Sequence, residues 1–348
     1  MPHSDVTVTW EVDQGGHVTP QHFDIYLRDL TTNPPGPGSR PADRVHEHVT
    51  GRSARIPIGR LTPGHRYQVA MRVSDMEIWS EPVRFSIEPV TAATIRNRGV
   101  AVDIATAQNV ADRINHHFFN NTDVEQRMRS GERMVFAFEG AGNYDGTIAT
   151  NLTTTHPNAH PNGRYGAMLV VMRGMNILYI TRRASTLPDN PTGTSGTSRS
   201  ATVHNGVYNF HSQRHQGTYP TIQIRPLGSE RYTPVPAVYA HPNFQGSTAV
   251  GINTHSADAP FSLTSNWSMG CIIMNFRDYP NFLDALDFIT NQGQLNDARN
   301  AITRNAMRNQ LSPAPRGNFT AINGVYVIDR TLMSATQRTA FALPAQDR

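Results

Sequence analysis

The chain has 348 residues, 17% of them charged, with a formal net charge of +4 and a pI of about 9.4. All 31 basic residues are arginine, but they form no arginine run interleaved with aromatic residues, which argues against a nucleic-acid-binding protein. No run of about 18 apolar residues is present, which argues against a membrane-spanning helix. The length suffices for two domains, and 24 prolines with 26 glycines predict a soluble, β-rich protein with many turns.

The N-terminus and the cysteine content say little about the compartment. The first ten residues, MPHSDVTVTW, run directly into an alternating pattern and lack the basic and apolar segments of a signal peptide. The single cysteine cannot form an intramolecular disulfide, so cysteine usage does not indicate the redox environment. Any expectation about location therefore depends on the function.

Residues 1–89 are predicted to form an antiparallel β-sandwich. Apolar and polar residues alternate in several short segments, which is the pattern of half-buried strands. The clearest segments are 6–10, 23–27, 67–73 and 83–87. Loops rich in proline, glycine and asparagine, such as 32–38, separate these segments, and several short strands in this arrangement are typical of a sandwich.

This first region resembles a fibronectin type III domain. The resemblance depends on three features, namely an early Trp10, the segment Leu61-x-Pro63-x-x-x-Tyr67, and Trp79-Ser80-Glu81-Pro82 before the last strand. It implies a spacer or docking module without chemistry of its own, since a fold alone does not confer an activity. Trp10, Tyr67 and Trp79 are accordingly predicted to be core residues and not ligand contacts.

Residues 90–130 change to a helical pattern. Apolar residues recur there every few positions at Val102, Ala105, Val110, Ile114, Phe118 and Met128. One or two amphipathic helices are therefore expected, with Asp103 as an N-cap, forming a helical linker to residues 131–348. His116 and His117 are adjacent and cannot share a helix face, so a metal-binding pair is not expected.

Residues 131–348 are predicted to form a second, β-rich domain with a few helices. Its strand-like segments are 133–138, 168–172, 177–180, 203–210, 221–224 and 324–328. The glycine-rich stretch 140–146 lacks the lysine and the Ser/Thr of a phosphate-binding loop and is interpreted as a turn. Segments 151–164 and 189–200 are predicted loops, and long loops around a cleft often carry substrate selectivity.

A helix is expected after the cysteine. Asp278 and Pro280 are good starting residues, and Phe282, Leu286 and Ile289 mark one apolar face of a helix that ends near Gln292-Gly293. Such a helix would support the preceding strand from behind. Residues 296–309 are predicted to form another helix, and no element is predicted beyond about residue 331.

The stretch from Gly251 to Asn275 holds Cys271, the only cysteine, sixteen positions after His255. A cysteine reacts as its thiolate, so its pKa of about 8.5 has to be lowered by a neighbouring imidazole or by backbone N–H groups. His255 is the nearest candidate base. Gly270 permits close backbone approach, and the N–H groups around it are candidate donors to an oxyanion.

These residues resemble the signature of the L,D-transpeptidase (YkuD-like) catalytic domain, in which a His precedes a Ser-His-Gly-Cys-hydrophobic-Arg motif. The matching residues are His255-Ser256 and Ser268-Met269-Gly270-Cys271-Ile272. Segments 168–172, 177–180 and 184–188 resemble the family's opening hairpin and the turn after it. Gly206-Val207-Tyr208 and the following strand-like segment resemble a later motif, so the likeness spans about residues 166–286.

The resemblance implies cysteine-dependent acyl transfer on the stem peptides of peptidoglycan, without a cofactor or a metal. The residues expected to act in catalysis are Cys271, His255, Ser256 and Gly270. The residues expected to contact substrate are Trp267, Ser268, Met269 and Tyr208. Cys271 would attack a peptide carbonyl, the backbone at Gly270 and Cys271 would stabilise the oxyanion, and His255 would protonate the leaving amine. Ser256 or a nearby carbonyl would orient the imidazole.

Two departures from the family motif leave alternatives open. Met269 stands where the family has its second His, and Ile273 where it has Arg, so hydrolysis competes with transpeptidation. The competing class is a non-catalytic, cell-wall-binding or structural component of a phage tail or contractile injection apparatus, attached through the N-terminal domain. In both classes the expected location is the cell envelope or the cell exterior, and delivery by a particle is one route because no signal peptide is visible.

Two simpler interpretations concern the cysteine and the histidines. A lone cysteine is often only a small buried hydrophobic residue, and Cys271 gains a catalytic interpretation through its spacing from His255. A zinc site would draw on His204, His211, His215, His241, His255 and Asp258. There is no H-E-x-x-H motif, and residues 211–215 are not a convincing helix, so no metal is predicted.

Overall fold

The structure of the protein is a computed structural model. It describes residues 5–11, 22–34, 43–57, 60–61, 64–74, 76–86, 89–99, 101–142, 166–188, 194–195, 198–215, 219–229, 233–241, 243–257, 270–289, 291–312, 322–333, 335–340 and 343. Of these residues, 42% lie in strands and 23% in helices, which confirms the expectation of a mainly β protein.

The N-terminal region contains two antiparallel sheets. Its strands are β1 (Asp5–Thr9), β2 (Phe23–Asp29), β3 (Asp43–Val49), β4 (Ser53–Pro57), β5 (Arg66–Val73) and β6 (Val83–Ser86). β1 pairs with β4, and the second sheet has the order β3-β2-β5-β6. Alternate residues of both sheets, including Ile25, Ile56 and Val69, enclose one hydrophobic core, as two packed sheets do.

The three aromatic residues predicted for this core have different positions. Trp10 is 8% exposed and Tyr67 1% exposed, and both belong to the core, as predicted. Trp79 is half-buried and packs on the outer face against Tyr26, with ring centroids 4.8 Å apart. The prediction is wrong for Trp79 because its segment pairs with β5 at Arg72, whose guanidinium lies over both rings.

Three helices occupy the predicted helical region. They are α1 (Ala92–Arg96), α2 (Ile104–Asn120) and α3 (Thr122–Arg129). The side chain of Asp103 accepts a hydrogen bond from the backbone N–H of Thr106 at 2.7 Å, which confirms the predicted N-cap. Within the described residues, no helix is both long enough and apolar enough to cross a membrane.

Eight of the remaining strands close into a barrel. The strands that the structure describes after α3 are β7 (Arg133–Glu139), β8 (Ala167–Arg173), β9 (Asn176–Ser185), β10 (Thr194–Ser195), β11 (Ser198–Arg199), β12 (Thr202–Val203), β13 (Gly206–His215), β14 (Tyr219–Pro226), β15 (Val235–Val238), β16 (Thr248–Ala249), β17 (Asn253–Ala257), β18 (Ile272–Asn275) and β19 (Asn323–Asp329). The barrel order is β13-β14-β17-β18-β9-β8-β7-β19, and β19 pairs back with β13. The pairs β17–β18 and β19–β7 are parallel.

The predicted strand over 203–210 is two strands, because its halves pair with different neighbours. Val203 in β12 pairs with β15, whereas Gly206 begins β13 and pairs with β19. β13 then continues through His211 to His215, so those histidines lie within a strand. The other strand predictions for this region are confirmed in β7, β8, β9, β14 and β19.

The barrel has an apolar interior and, on one side, an apolar exterior. Alternate strand residues such as Leu169, Ile224 and Ile272 face inward and are almost completely buried. On β7, β8 and β19 the outward residues are also apolar, namely Met134, Phe136, Phe138, Met168, Val170, Met172, Val325 and Val327. They form a second core with apolar residues of α1, α2 and α3. The helices after the sandwich therefore pack on the barrel.

One end of the barrel is covered by helices that follow β18. These are α4 (Tyr279–Ala285), α5 (Gln292–Asn300) and α6 (Arg304–Leu311), and α7 (Ala335–Ala340) follows β19. Asp287, just after α4, accepts hydrogen bonds from Arg133 at the start of β7 and from Arg173 at the end of β8. These contacts place α4 at the barrel end where β7 begins.

The helix predictions after Cys271 were wrong in extent. α4 ends at Ala285 because Asp287 has a positive φ of 53°, which a continuing helix does not allow. Gln292 therefore begins α5 instead of ending α4. The helix predicted over 296–309 is divided between α5 and α6, because Ala301 is extended and Thr303 caps the new helix by accepting from the N–H of Ala306.

Asp329 connects the helical layer to the barrel. Its carboxylate, only 2% exposed, accepts hydrogen bonds from His117 Nε2 at 2.7 Å and from Arg113 Nε at 2.8 Å, both on α2. Burial by itself raises the pKa of Asp329, but hydrogen bonds from His117 and Thr331 outweigh burial and hold this pKa below its ordinary value. The carboxylate is therefore ionised at neutral and mildly acidic pH.

We expect Asp329→Asn to lower the free energy of unfolding by about 1–3 kcal/mol at pH 7, because the change leaves two half-buried donors of α2, on Arg113 and His117, without their charged acceptor. Since the pKa of Asp329 is depressed in the folded protein, its stabilisation is complete above about pH 4 and is lost as the pH falls further. Urea unfolding at several pH values measures this difference. The exposed Asp112→Asn on α2 is the control, and an equal loss in both variants would contradict the assignment.

Candidate active site

His255 lies on β17, and Cys271 directly precedes β18, the parallel neighbour of β17. β17 and β18 pair in a register that sets His255 opposite Ile273, so Cys271 lies beside Asn253 just before β18. Residues two apart on a strand share a face, so the alternation of β18, continued back by one residue from Ile272, places Cys271 on the same side of the sheet as His255. From ordinary strand spacing and rise, their Cα atoms are roughly 8 Å apart. An imidazole and a thiol can meet across that distance.

The shared face is the outside of the barrel. The alternate residues point inward, since Ile272 belongs to the interior core and Thr254 Oγ1 lies 3.5 Å from the hydroxyl of the buried Tyr326. His255 is only 4% exposed, whereas Cys271 is half-buried. The imidazole is thus held in a closely packed position, and the residue that would attack a substrate keeps partial access to solvent.

A backbone carbonyl sets the tautomer of His255. Its Nδ1 lies 3.1 Å from the carbonyl oxygen of Ser256. A carbonyl oxygen only accepts hydrogen bonds, so Nδ1 carries the proton in this contact and the neutral ring keeps its lone pair on Nε2. Nε2 is therefore the nitrogen through which His255 can act as a base.

The sulfur of Cys271 contacts backbone groups at the start of β17. The thiol lies 3.8 Å from the carbonyl oxygen of Gly251, to which it donates, and it accepts a hydrogen bond from the N–H of Asn253. Removal from water raises the pKa of Cys271, and the Asn253 N–H lowers it by less, so the pKa lies above its ordinary value. The resting sulfur is a neutral thiol, and reaction at neutral pH requires proton transfer to a base.

Gly270 occupies a position that other residues do not fit. Its φ is +134°, and a Cβ at this position would lie 2.6 Å from the carbonyl oxygen of Ala201. Ala201 directly precedes β12, so the turn before Cys271 packs against the small sheet β12-β15-β16. This contact fixes the backbone that carries the N–H groups expected to face an oxyanion.

The other predicted site residues lie elsewhere. Ser256 alternates with His255, and its buried hydroxyl points inward without a hydrogen-bond partner in the described part of the chain. Tyr208 is 4% exposed, belongs to the interior core and donates its hydroxyl to the His204 carbonyl oxygen at 2.8 Å. Neither hydroxyl lies on the outer face with Cys271. The predicted substrate contacts Trp267, Ser268 and Met269 lie outside the described residues.

A row of polar side chains beside Cys271 was not anticipated from the sequence. The register sets His211 of β13 opposite Gln223 of β14, and Gln223 opposite Asn253 of β17. These three residues, the polar row, face outward because the alternate residues, such as Phe210 and Ile222, belong to the interior core. Gln223 is 2% exposed and Asn253 8%. The alternation of polar and apolar residues in these segments could have indicated a polar face on each strand. It could not have indicated that this polar face is buried.

The histidines do not gather into one cluster. No three His, Cys, Asp or Glu side chains converge as a metal ion would require, counting only the described residues. Asp258, which the zinc hypothesis included, lies outside that part of the chain. Among the described residues, the register of β17 and β18 places Cys271 and His255, the candidate nucleophile and base, on one face.

Alkylation of the single cysteine tests its resting state. Because burial raises the pKa of Cys271, we expect iodoacetamide to react slowly at pH 7 and the rate to keep rising with pH beyond the titration of an unfolded cysteine, whose pKa is about 8.5. Intact-mass measurement of native and urea-unfolded protein gives both profiles, with Cys271→Ser as the blank. A native profile shifted to lower pH would instead indicate a resting thiolate.

Gly270→Ala should destabilise the folded protein by about 2 kcal/mol or more, because it combines an unfavourable backbone conformation with a clash against Ala201. Gly228→Ala is the matched control, since Gly228 also has a positive φ but open space around its Cβ position, and strain alone costs about 1 kcal/mol. Thermal unfolding compares the two variants. Equal losses would show that the Ala201 contact contributes nothing.

Comparisons with known proteins identify no relative of the chain. No protein-family model, no curated protein and no solved structure matches the chain. The function is therefore inferred from the residues of the site, their geometry and the motif around them.

Proposed function

We propose that the protein catalyses cysteine-dependent acyl transfer on peptidoglycan stem peptides, as an L,D-transpeptidase-like (YkuD-like) enzyme or as a hydrolytic variant of one. The observation that supports this most is the parallel register of β17 and β18, from which His255 and the only cysteine project on the same face. The carbonyl contact at His255 Nδ1 adds support, because it leaves Nε2 as the basic nitrogen. The motif around Gly270 agrees with the same class.

The first half of the reaction starts from a neutral pair, in keeping with the raised pKa of Cys271. The sulfur forms a bond to the carbonyl carbon of a stem peptide while its proton passes to Nε2 of His255 and the carbonyl electrons move to oxygen. Backbone N–H groups at Gly270 and Cys271 stabilise this oxyanion. The C–N bond then breaks, the leaving amine takes the proton from His255, and a thioester remains.

The second half decides the product. The amine of another stem peptide, deprotonated by His255, attacks the thioester and forms a cross-link, or water attacks and releases a carboxylate. In both cases the sulfur leaves and recovers its proton from His255. Ile273 stands in place of the family's arginine, so transpeptidation and hydrolysis are two versions of one proposal.

We assign the first 89 residues a fibronectin type III-like role as a spacer or docking module. Two antiparallel sheets around a core that contains Trp10 and Tyr67 support this assignment. The proposed partners are peptidoglycan for the barrel and, for the N-terminal region, a phage or injection-system particle. The proposed location is the cell envelope or the cell exterior.

A second candidate function is a non-catalytic, wall-binding or structural part of a phage tail or contractile injection apparatus. The observation that favours it is the chemistry of the resting cysteine, since burial raises the pKa of Cys271 where an activated nucleophile would have a lowered one. Met269 and Ile273, the two departures from the family motif, point the same way.

A carbapenem tests the nucleophile, because its strained amide acylates a cysteine of this class and leaves a stable mass increase. We expect one adduct per chain of the parent protein, none on Cys271→Ala, and adduct formation about 100-fold slower or worse on His255→Gln, which lacks the base. Intact-mass time courses measure all three. His116→Gln, an exposed change on α2, is the control and should react like the parent.

Digestion of purified peptidoglycan separates the versions of the reaction. An increase in cross-linked muropeptides indicates transpeptidation, and shortened or uncoupled stems indicate hydrolysis. Folded parent protein that gives no adduct and leaves the muropeptide profile unchanged would favour the structural candidate.

A further inference from the structure

Gln213 and Gln223 lie next to Asn253, the residue of the polar row that is beside Cys271. Gln213 on β13 donates from Nε2 to Oδ1 of Asn253, and Gln223 on β14 accepts at Oε1 from Arg225 Nε at 3.4 Å. The register of β13, β14 and β17 keeps both glutamines on the outer face of the barrel, with Asn253 beside Cys271. Amide side chains and nucleophile therefore share one surface.

The partners of these amides determine which atom of each amide is used. Asn253 Nδ2 donates to the Gly251 carbonyl oxygen at 2.7 Å, so its Oδ1 has to be the acceptor for Gln213. Arg225 can only donate, so Oε1 of Gln223 has to be the acceptor there. One donor remains, Gln223 Nε2, and one acceptor, Gln213 Oε1, and neither has a hydrogen-bond partner where the structure describes the chain.

We propose that Gln213 and Gln223 form a subsite that binds one peptide group of the substrate beside Cys271, an inference that rests on the proposed acyl transfer. A peptide group offers one carbonyl oxygen and one N–H. Gln223 Nε2 donates to the carbonyl oxygen, and Gln213 Oε1 accepts the N–H. The subsite therefore selects a substrate with an unsubstituted secondary amide next to the bond that Cys271 attacks.

Burial makes this recognition selective. Gln223 is 2% exposed. Binding of a molecule that offers no hydrogen-bond partner to a polar group in such surroundings costs free energy, because the group can no longer bond to water. An ester or an N-alkylated amide lacks the N–H that Gln213 requires. On β7, β8 and β19, by contrast, the outward residues are apolar and are covered by α1, α2 and α3, whereas the outward side chains around Asn253 are polar.

Calorimetry with the Cys271→Ala protein measures this binding without acylation. The probes are a stem tetrapeptide containing meso-diaminopimelic acid and the corresponding lysine-containing tetrapeptide. In this background Gln223→Glu keeps the side-chain shape and the acceptor for Arg225 but replaces the donor Nε2 with an oxygen, so we expect about tenfold weaker binding. Gln213→Met, which removes the acceptor, should weaken binding by a similar factor.

Gln126→Glu on α3 is the matched control, since Gln126 is exposed and belongs to the helical layer. Thermal unfolding verifies that the variants are folded, and Gln223→Glu serves as the decisive variant should Gln213→Met disturb Asn253. Equal affinities in Gln223→Glu and its control, or no measurable binding of either peptide, would overturn the subsite.

The carbapenem adduct of protein that retains Cys271 reports the reaction separately. An adduct together with unchanged peptide affinity in the glutamine variants removes the subsite and leaves the proposed reaction in place. Weakened peptide binding in those variants without any adduct supports the subsite and removes the reaction.

Discussion

The site depends on the parallel pairing of β17 with β18. In this register Thr254 and Ile272 face the interior together, so His255 and Cys271 face outward together. A slip of one residue would send one of the two reactive side chains into the core, because alternate strand residues point to opposite faces. Burial of the inward residues therefore fixes the separation of His255 and Cys271 along the strands, and the carbonyl of Ser256 orients the imidazole.

Because the sheet closes into a barrel, the regions of the domain differ in which side chains the outer surface of the barrel presents. Where the outward residues are apolar, on β7, β8 and β19, α1, α2 and α3 cover them, and Asp329 attaches α2 through His117 and Arg113. α4 covers the barrel end where β7 begins. On β13, β14 and β17 the polar row faces outward, and this side carries His255 and Cys271. The side of the barrel that packs against helices and the side that carries the candidate site are thus formed by different strands.

Several local features could be predicted because neighbouring residues decide them. Alternation located β7, β8, β9, β14 and β19, and Asp103 was identified as an N-cap from its position before an amphipathic run. Predictions failed where a distant segment decides. The strand over 203–210 divides because Val203 pairs with β15, and Trp79 leaves the core because its segment pairs with β5. α4 ends early because Asp287 has a positive φ, which the residue type alone does not predict.

By itself the sequence determined a mainly β protein and singled out Cys271, His255 and Gly270, since an only cysteine, a preceding histidine and an adjacent glycine are visible in one short stretch. Only the tertiary structure decided that the barrel closes, that Ser256 and Tyr208 point into its core, and that Gln213, Gln223 and Asn253 lie next to one another. The physical reason is that strand register couples residues far apart in the chain. Periodicity reveals that a strand has two faces, but the partner strands determine what each face meets.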